Sequence, residues 1–121
     1  MDLYREEILD HYKHPRNYGS LKEATHQASD RNASCGDLME MSLKVKKGKI
    51  EAVKFKGEGC AISIAAASML TEKIKGKRVA EVQLMTDKDI VKMLGVKISL
   101  TRMKCATLGL VVCQKAITQN Q

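Results

Sequence analysis

Apolar and polar residues alternate along two neighbouring stretches in the first half of the chain. From Leu38 to Lys46 every second residue is apolar, the period-two pattern of a half-buried strand. The apolar members are Met39, Met41, Leu43 and Val45. Ile50–Lys56 alternates less regularly, and Lys47-Gly48-Lys49 separates the two stretches with a short glycine-containing turn. The pattern predicts a β-hairpin. Residues 24–32 are polar and weakly patterned, and we predict an edge strand there.

Helical spacing of apolar residues is typical of the remaining segments. Residues 2–13 are expected to form an amphipathic helix that ends before Pro15. A second helix is predicted from Cys60 to about Ile74, a short one from Thr86 or Asp87 to Leu94, and a closing helix over 100–118, with 79–86 as a connector. This order predicts an α+β fold, a small antiparallel sheet packed against helices, in one domain over residues 1–121.

The corner between the second hairpin strand and the next helix carries the segment Gly57-Glu58-Gly59-Cys60. Glycine at 59 tolerates positive φ, which a sharp strand-to-helix corner often requires. Cys60 is placed at the helix N-terminus, where unpaired N–H groups and the helix dipole favour a thiolate. Small residues follow in the helix, so we expect another element or a bound partner to approach it closely. They are Ala61, Ser63, Ala65, Ala66, Ala67 and Ser68.

Composition and charge narrow the class of protein. Aromatic residues make up only 3% of the chain, so we expect a core of aliphatic and methionine side chains. Because few aromatic rings are present to stack on bases, a nucleic-acid-binding domain is disfavoured. The net charge of +7 is spread along the sequence, as expected for a solvated surface. The longest nearly apolar run, 60–70, is shorter than the roughly 20 residues that span a bilayer. We therefore expect no membrane association and a cytoplasmic, reducing location.

Three of the four cysteines lie at predicted element boundaries. Cys35 and Asp37 flank a glycine in the loop that enters the hairpin, Cys60 begins a helix, and Cys105 lies in the opening turns of the last helix. In a reducing setting such cysteines are metal ligands or reactive thiols rather than disulfides. If the two helix N-termini meet, three thiolates and one carboxylate converge, the four ligands of a tetrahedral metal. The oxygen ligand predicts an exchangeable rather than a closed site.

Spacing alone leaves the alternative of buried, reduced cysteines open, because the chain has no Cys-x-x-Cys pair. Cys113, eight residues after Cys105, is predicted to pack in the core rather than to bind metal.

Four segments carry a family resemblance. Cys35-Gly36-Asp37, the corner Gly57–Ser63 with its Ala/Ser-rich helix, and Lys104–Leu108 resemble the three signature segments of the U-type iron–sulfur cluster assembly proteins, the IscU, SufU and NifU N-terminal family. The opening Ile8–Gly19 is similar to the N-terminal segment of that family. The resemblance implies an α+β fold and a metal site of three cysteines and an aspartate. Its ligands would be Cys35, Asp37, Cys60 and Cys105.

Within that family the third-cysteine segment is most similar to SufU. Lys104 stands where IscU-type scaffolds usually have a histidine, and the upstream segment 100–103 lacks the prolines of their chaperone-recognition motif. SufU proteins bind zinc and accept persulfide sulfur from a cysteine desulfurase. They typically carry an insertion between the second and third cysteines, which this chain, with a separation of 45 residues, lacks.

The resemblance implies two chemistries for one site. In the first, the thiolates hold a transient [2Fe–2S] cluster built with sulfur from a cysteine desulfurase and passed to apo iron–sulfur proteins or carriers. In the second, Zn²⁺ holds the site and Cys105 accepts the persulfide, with Lys104 and Arg102 favouring its thiolate or steering the anionic persulfide. The chain would then be a scaffold or sulfur carrier rather than an enzyme in the strict sense. A small structural-zinc interaction module is the alternative from another class.

Overall fold

A computed structural model describes residues 3–32 and 36–119 of the chain. Its elements are α1 Leu3–Lys13, β1 His26–Asn32, β2 Asp37–Lys46, β3 Lys49–Glu58, α2 Ala61–Ile74, α3 Val79–Gln83, α4 Asp87–Leu94 and α5 Leu100–Gln119. The predicted α+β fold is confirmed, including the edge strand, the hairpin and the closing helix.

The three strands form an antiparallel sheet in the order β1-β2-β3, so β2 is central. Lys47 and Gly48 both have positive φ, 53° and 77°, as the two-residue hairpin turn that matches the twist of its strands requires. The register aligns Asn32 with Asp37 and Leu38 with Glu58, so the start of β2 and the end of β3 share one end of the sheet. A register shift between Lys44 and Val45 accounts for the irregular alternation in β3.

Helix α2 is the central element of the helical layer, since it contacts β3, α1, α4 and α5. A Cβ on Gly109 of α5 would lie 3.3 Å from the Ala67 Cβ and from the Met41 Cε. Because both helices carry small residues there, their backbones approach closely and pack on the methionines of β2. The expected close approach to α2 is therefore confirmed, and so is the aliphatic and methionine-rich core.

Cys113 is fully buried in this core, as predicted. Burial away from water disfavours the charged form and raises the pKa of its thiol to about 12. Cys113 therefore stays a neutral, unreactive thiol.

Two sequence predictions differ from the structure. The connector 79–86 contains the short helix α3, in which only Val82 is buried. One buried side chain in five residues gives no periodic pattern from which a helix could be predicted. In α1 only Ile8 and His11 are buried, whereas the other apolar residues at helical spacing, which an amphipathic helix would turn toward the core, are exposed. These are Leu3, Tyr4, Leu9 and Tyr12.

No helix among the described residues is long and apolar enough to span a membrane.

A buried polar network fixes α1 to α2. The Arg16 backbone N–H donates to the Ser68 Oγ at 2.8 Å, and this hydroxyl lies 2.7 Å from the Nδ1 of His11. When the ring proton of His11 is on Nε2, which faces Glu72 Oε1 at 3.5 Å, Nδ1 accepts a hydrogen bond donated by the Ser68 hydroxyl. Asn17 donates its side-chain amide to the Thr71 hydroxyl at 3.0 Å, one turn further along α2.

Burial makes this network sensitive to acid. Desolvation, with the nearby charge of Arg16, lowers the pKa of His11 below 6.5, against the weaker pull of Glu72, Glu7 and Asp10. Between the lowered pKa of His11 in the native protein and about 6.5 in the unfolded chain, the unfolded chain binds more protons than the native one. The stabilisation is therefore complete above about pH 6.5 and is lost as the pH falls toward the native pKa.

We expect the urea midpoint of the protein to fall between about pH 7.5 and about pH 5.5 by more than that of His11→Gln. Glutamine keeps hydrogen-bonding capacity at position 11 but does not titrate, so the difference between the two pH profiles isolates the histidine. Equal falls in the two proteins would contradict the prediction.

Candidate metal centre

Three of the predicted ligands come together where the hairpin meets α2 and α5. Asp37 opens β2, Cys60 is the residue that caps α2, and Cys105 lies in the second turn of α5. One ligand atom from each lies within 4.8 Å of the other two. Donors that share one zinc ion lie about 2.0–2.3 Å from it, so these three need only small movements to bind a common ion.

The fourth predicted ligand, Cys35, lies outside the described residues. The described part of the chain thus supplies two sulfurs and one carboxylate. The sulfurs suit a thiophilic metal, and the carboxylate is the one harder ligand in the set. The four-ligand assignment stays a prediction.

The carboxylate of Asp37 is held at the N-terminus of α2. The Cys60 backbone N–H donates to Asp37 Oδ1 at 3.3 Å, and the Cys60 Sγ lies 3.9 Å from Asp37 Oδ2. No acidic residue lies in the first turn of α2, so this carboxylate is the negative charge that faces the positive end of the helix dipole. Asp37 is only 3% exposed, so its carboxylate is largely shielded from solvent.

Gly59 is required for space, not for its backbone conformation. The glycines with positive φ are at other positions, so the predicted use of positive φ at 59 is wrong. A Cβ at position 59 would lie 2.8 Å from Asp37 Oδ1 and 3.1 Å from the Ser63 Oγ. Any side chain there would displace the carboxylate.

The structure adds two polar side chains that the sequence analysis missed. The Asn32 amide lies 4.0 Å from the Cys105 Sγ, in position to donate a weak hydrogen bond to it. Ser63 lies three residues after Cys60 on the same face of α2, and its buried Oγ has no hydrogen-bond partner among the described residues. The spacing of Ser63 from Cys60 was visible in the sequence, whereas the position of Asn32 depends on the register of β1 and β2.

The two cations expected to support Cys105 are both exposed. Arg102 precedes Cys105 by three residues and Lys104 by one, so both project from the start of α5. Neither forms an ion pair within the residues that the structure describes. Cys105 itself is only 3% exposed, whereas Cys60 is half-buried. The roles assigned to Lys104 and Arg102 stay predictions.

A small α+β domain with two cysteines and an aspartate converging at helix ends is a candidate metal-binding domain of the iron–sulfur assembly type. The chain belongs to the NifU-like N terminal domain family, whose sequence profile matches residues 3–121. The family resemblance and the fold class predicted from the sequence are both confirmed.

Named relatives of two kinds share this domain. The chain is 36% identical over 137 aligned positions to the zinc-dependent sulfurtransferase SufU of Bacillus subtilis, covering 98% of this chain and 92% of the relative. It is 40% identical over 116 positions to the iron–sulfur cluster assembly scaffold protein IscU of Aquifex aeolicus, covering 94% and 73%. The solved structure of FiSufU from Fervidobacterium islandicum superposes with a TM-score of 0.79 at 29% identity, covering 93% and 94% of the two chains.

SufU proteins were expected to carry an insertion between the second and third cysteines that this chain lacks. The 137 positions of the alignment with the Bacillus protein exceed the 121 residues of this chain, so that relative carries residues which this chain lacks. This agrees with the absence of an insertion inferred from the spacing of the cysteines.

Proposed function

We propose that this protein is a sulfur acceptor in iron–sulfur cluster assembly, which receives sulfur from a cysteine desulfurase at a centre formed by Cys35, Asp37, Cys60 and Cys105. The observation that supports it is the convergence of Asp37, Cys60 and Cys105 within 4.8 Å at the ends of three elements. In this proposal residues 1–121 act as one domain in the cytoplasm, where reducing conditions keep thiols free.

Bound zinc would hold the cysteines as thiolates and protect them from oxidation. Docking of the desulfurase would displace Cys105 from the metal and free its thiolate. Asp37 makes the centre labile, because a hard oxygen binds a thiophilic metal less firmly than a thiolate does. Its carboxylate has an alternative position in the hydrogen bond from the Cys60 backbone N–H at 3.3 Å.

The transfer step assigns the nucleophile to Cys105. Its thiolate attacks the outer sulfur of the persulfide on the desulfurase, a new S–S bond forms at Cys105, and the S–S bond of the enzyme breaks. The enzyme cysteine leaves as a thiolate, so one sulfur atom moves with no net oxidation. Lys104 and Arg102, exposed at the start of α5, would attract the anionic persulfide.

Cluster scaffolding is the second candidate function. It is supported by the mixed donor set, since one carboxylate among thiolates lets a [2Fe–2S] cluster be released to apo iron–sulfur proteins or carriers. The cluster is then cargo. Sulfur transfer (the relay) is favoured over scaffolding because the segment around Cys105 has the lysine typical of SufU. In addition, this chain aligns with 92% of the length of the sulfurtransferase relative.

An anaerobic assay with zinc-loaded protein, a cysteine desulfurase, cysteine and Fe²⁺ separates the candidates. For the relay we expect desulfurase turnover to rise at least severalfold while zinc is retained and no visible absorbance band develops. A cluster band in the visible range would instead support the scaffold. If neither turnover nor absorbance changes, both are wrong and a structural zinc module is the better description; reactions without iron serve as the control.

A further inference from the structure

Two buried hydroxyl groups lack a hydrogen-bond partner among the described residues, those of Ser42 and Ser63. Each side chain is about 1% exposed, so water does not readily replace the missing partner. A buried polar group without a partner lowers stability, and such groups are rare in native proteins. The one at Ser63 lies beside the candidate metal centre.

Ser63 and Asp37 border the same small space. The Cβ position of Gly59 is 3.1 Å from the Ser63 Oγ and 2.8 Å from Asp37 Oδ1, and only the missing side chain of the glycine leaves this space open. A carboxylate accepts about four hydrogen bonds, and Asp37 Oδ1 receives one long bond of 3.3 Å from the Cys60 N–H. The carboxylate therefore has capacity for a further donor.

We propose that Ser63 is a positioning residue for Asp37: its hydroxyl donates to the carboxylate oxygen that does not bind the metal and so sets how firmly Asp37 holds the ion. The inference rests on the proposed metal centre. When one carboxylate oxygen turns toward a metal, the other turns toward α2, where the hydroxyl of Ser63 is free to meet it. The unpaired hydroxyl is then a cost of the metal-free state that metal binding removes.

Ser42 provides the matched control. It is as buried as Ser63 and its hydroxyl is equally unpaired, but it lies five residues after Asp37 along β2, about 16 Å away at the rise of an extended strand. Replacement of Ser42 by alanine removes the same group without reaching the centre.

The test is the zinc affinity of the wild type, Ser63→Ala and Ser42→Ala, measured by competition with a chromogenic chelator. Loss of a residue that orients a metal ligand typically weakens binding about tenfold or more, and we expect that loss for Ser63→Ala and none for Ser42→Ala. The metal-free Ser63→Ala protein should be at least as resistant to urea as the wild type, because it loses an unpaired hydroxyl. A purely structural role would instead lower metal-free stability and leave the affinity unchanged.

A double-mutant cycle assigns the effect to Asp37. Against Asp37→Ala, the Ser63→Ala change should leave zinc affinity unaltered, because the group that it orients is absent. Wild-type affinity in Ser63→Ala, or an equal loss with and without Asp37, would overturn the inference. A different result, equal zinc affinity of Asp37→Ala and the wild type, would overturn the proposed centre itself, so the two failures are distinguishable.

Discussion

Replacement of Gly57 by alanine should lower the free energy of unfolding by about 3 kcal/mol or more, the upper range for forcing an atom into a packed site. An alanine Cβ there would lie 2.1 Å from the Leu38 carbonyl oxygen and 3.2 Å from the Met39 Cα. Both are backbone atoms of β2, which is paired on both sides and cannot move away alone. Relief of the clash would separate β2 from β3 next to Asp37.

Gly48→Ala in the hairpin turn is the control for this experiment. It has a φ of +77° and no atom within 4 Å of its Cβ position, so alanine there costs only the left-handed conformation, about 1–2 kcal/mol. Urea unfolding of the two variants compares steric overlap with backbone strain in one hairpin. If Gly57→Ala is no less stable than Gly48→Ala, the close approach of β2 and β3 at this point is wrong.

Most of the fold could be predicted because local signals and tertiary packing agree. The alternation of Met39, Met41 and Leu43 predicted one face of β2, and all three side chains are fully buried. The short helix predicted up to Leu94 is also present as α4; the Thr86 backbone N–H donates to the Asp89 carboxylate at 2.8 Å and Gly95 follows the helix with a φ of 71°. In α1 the spacing of apolar residues predicted the helix but not its buried face, because only the side that carries Ile8 and His11 is buried.

The sequence pointed to the three candidate ligands that the structure brings together, but not to the polar side chains around them. Cysteines at element boundaries and the family resemblance pointed to Asp37, Cys60 and Cys105, which the fold brings together. The position of Asn32 beside Cys105 depends on how β1 pairs with β2 and packs against α5, and the unpaired hydroxyl of Ser63 depends on how α2 packs beside Asp37 and Gly59. Both are relations between elements, and no local pattern in the sequence records them.

The second large effect is expected from Cys105→Ala. If Cys105 is a ligand as proposed, its removal should weaken zinc binding by at least about a hundredfold, beyond the 10–100-fold typical of residues that only orient ligands. In the relay mechanism the variant also lacks the attacking sulfur, so it should carry no persulfide and should not stimulate the desulfurase. Zinc content and competition titration measure the first effect, and mass spectrometry after incubation with the desulfurase and cysteine measures the second.

Cys113→Ala is the matched control, because it removes the same side chain from the same helix two turns later. Its thiol is buried, with a pKa raised to about 12, so it contributes neither a ligand nor a nucleophile. We expect unchanged zinc affinity and unchanged persulfide loading, with a loss of stability of about 1 kcal/mol from the missing sulfur.

Cys60 and Cys105, the two candidate ligand cysteines that the structure describes, differ in exposure, and this difference makes the choice of acceptor testable. Cys60 is half-buried while Cys105 is only 3% exposed, so an attack by Cys105 requires that docking of the desulfurase uncovers the start of α5. Cys60→Ala should therefore lose zinc but still accept sulfur on Cys105. Persulfide on Cys60 in the Cys105→Ala protein would reverse the assignment and make the more exposed thiol the acceptor, with Cys105 acting only as a metal ligand.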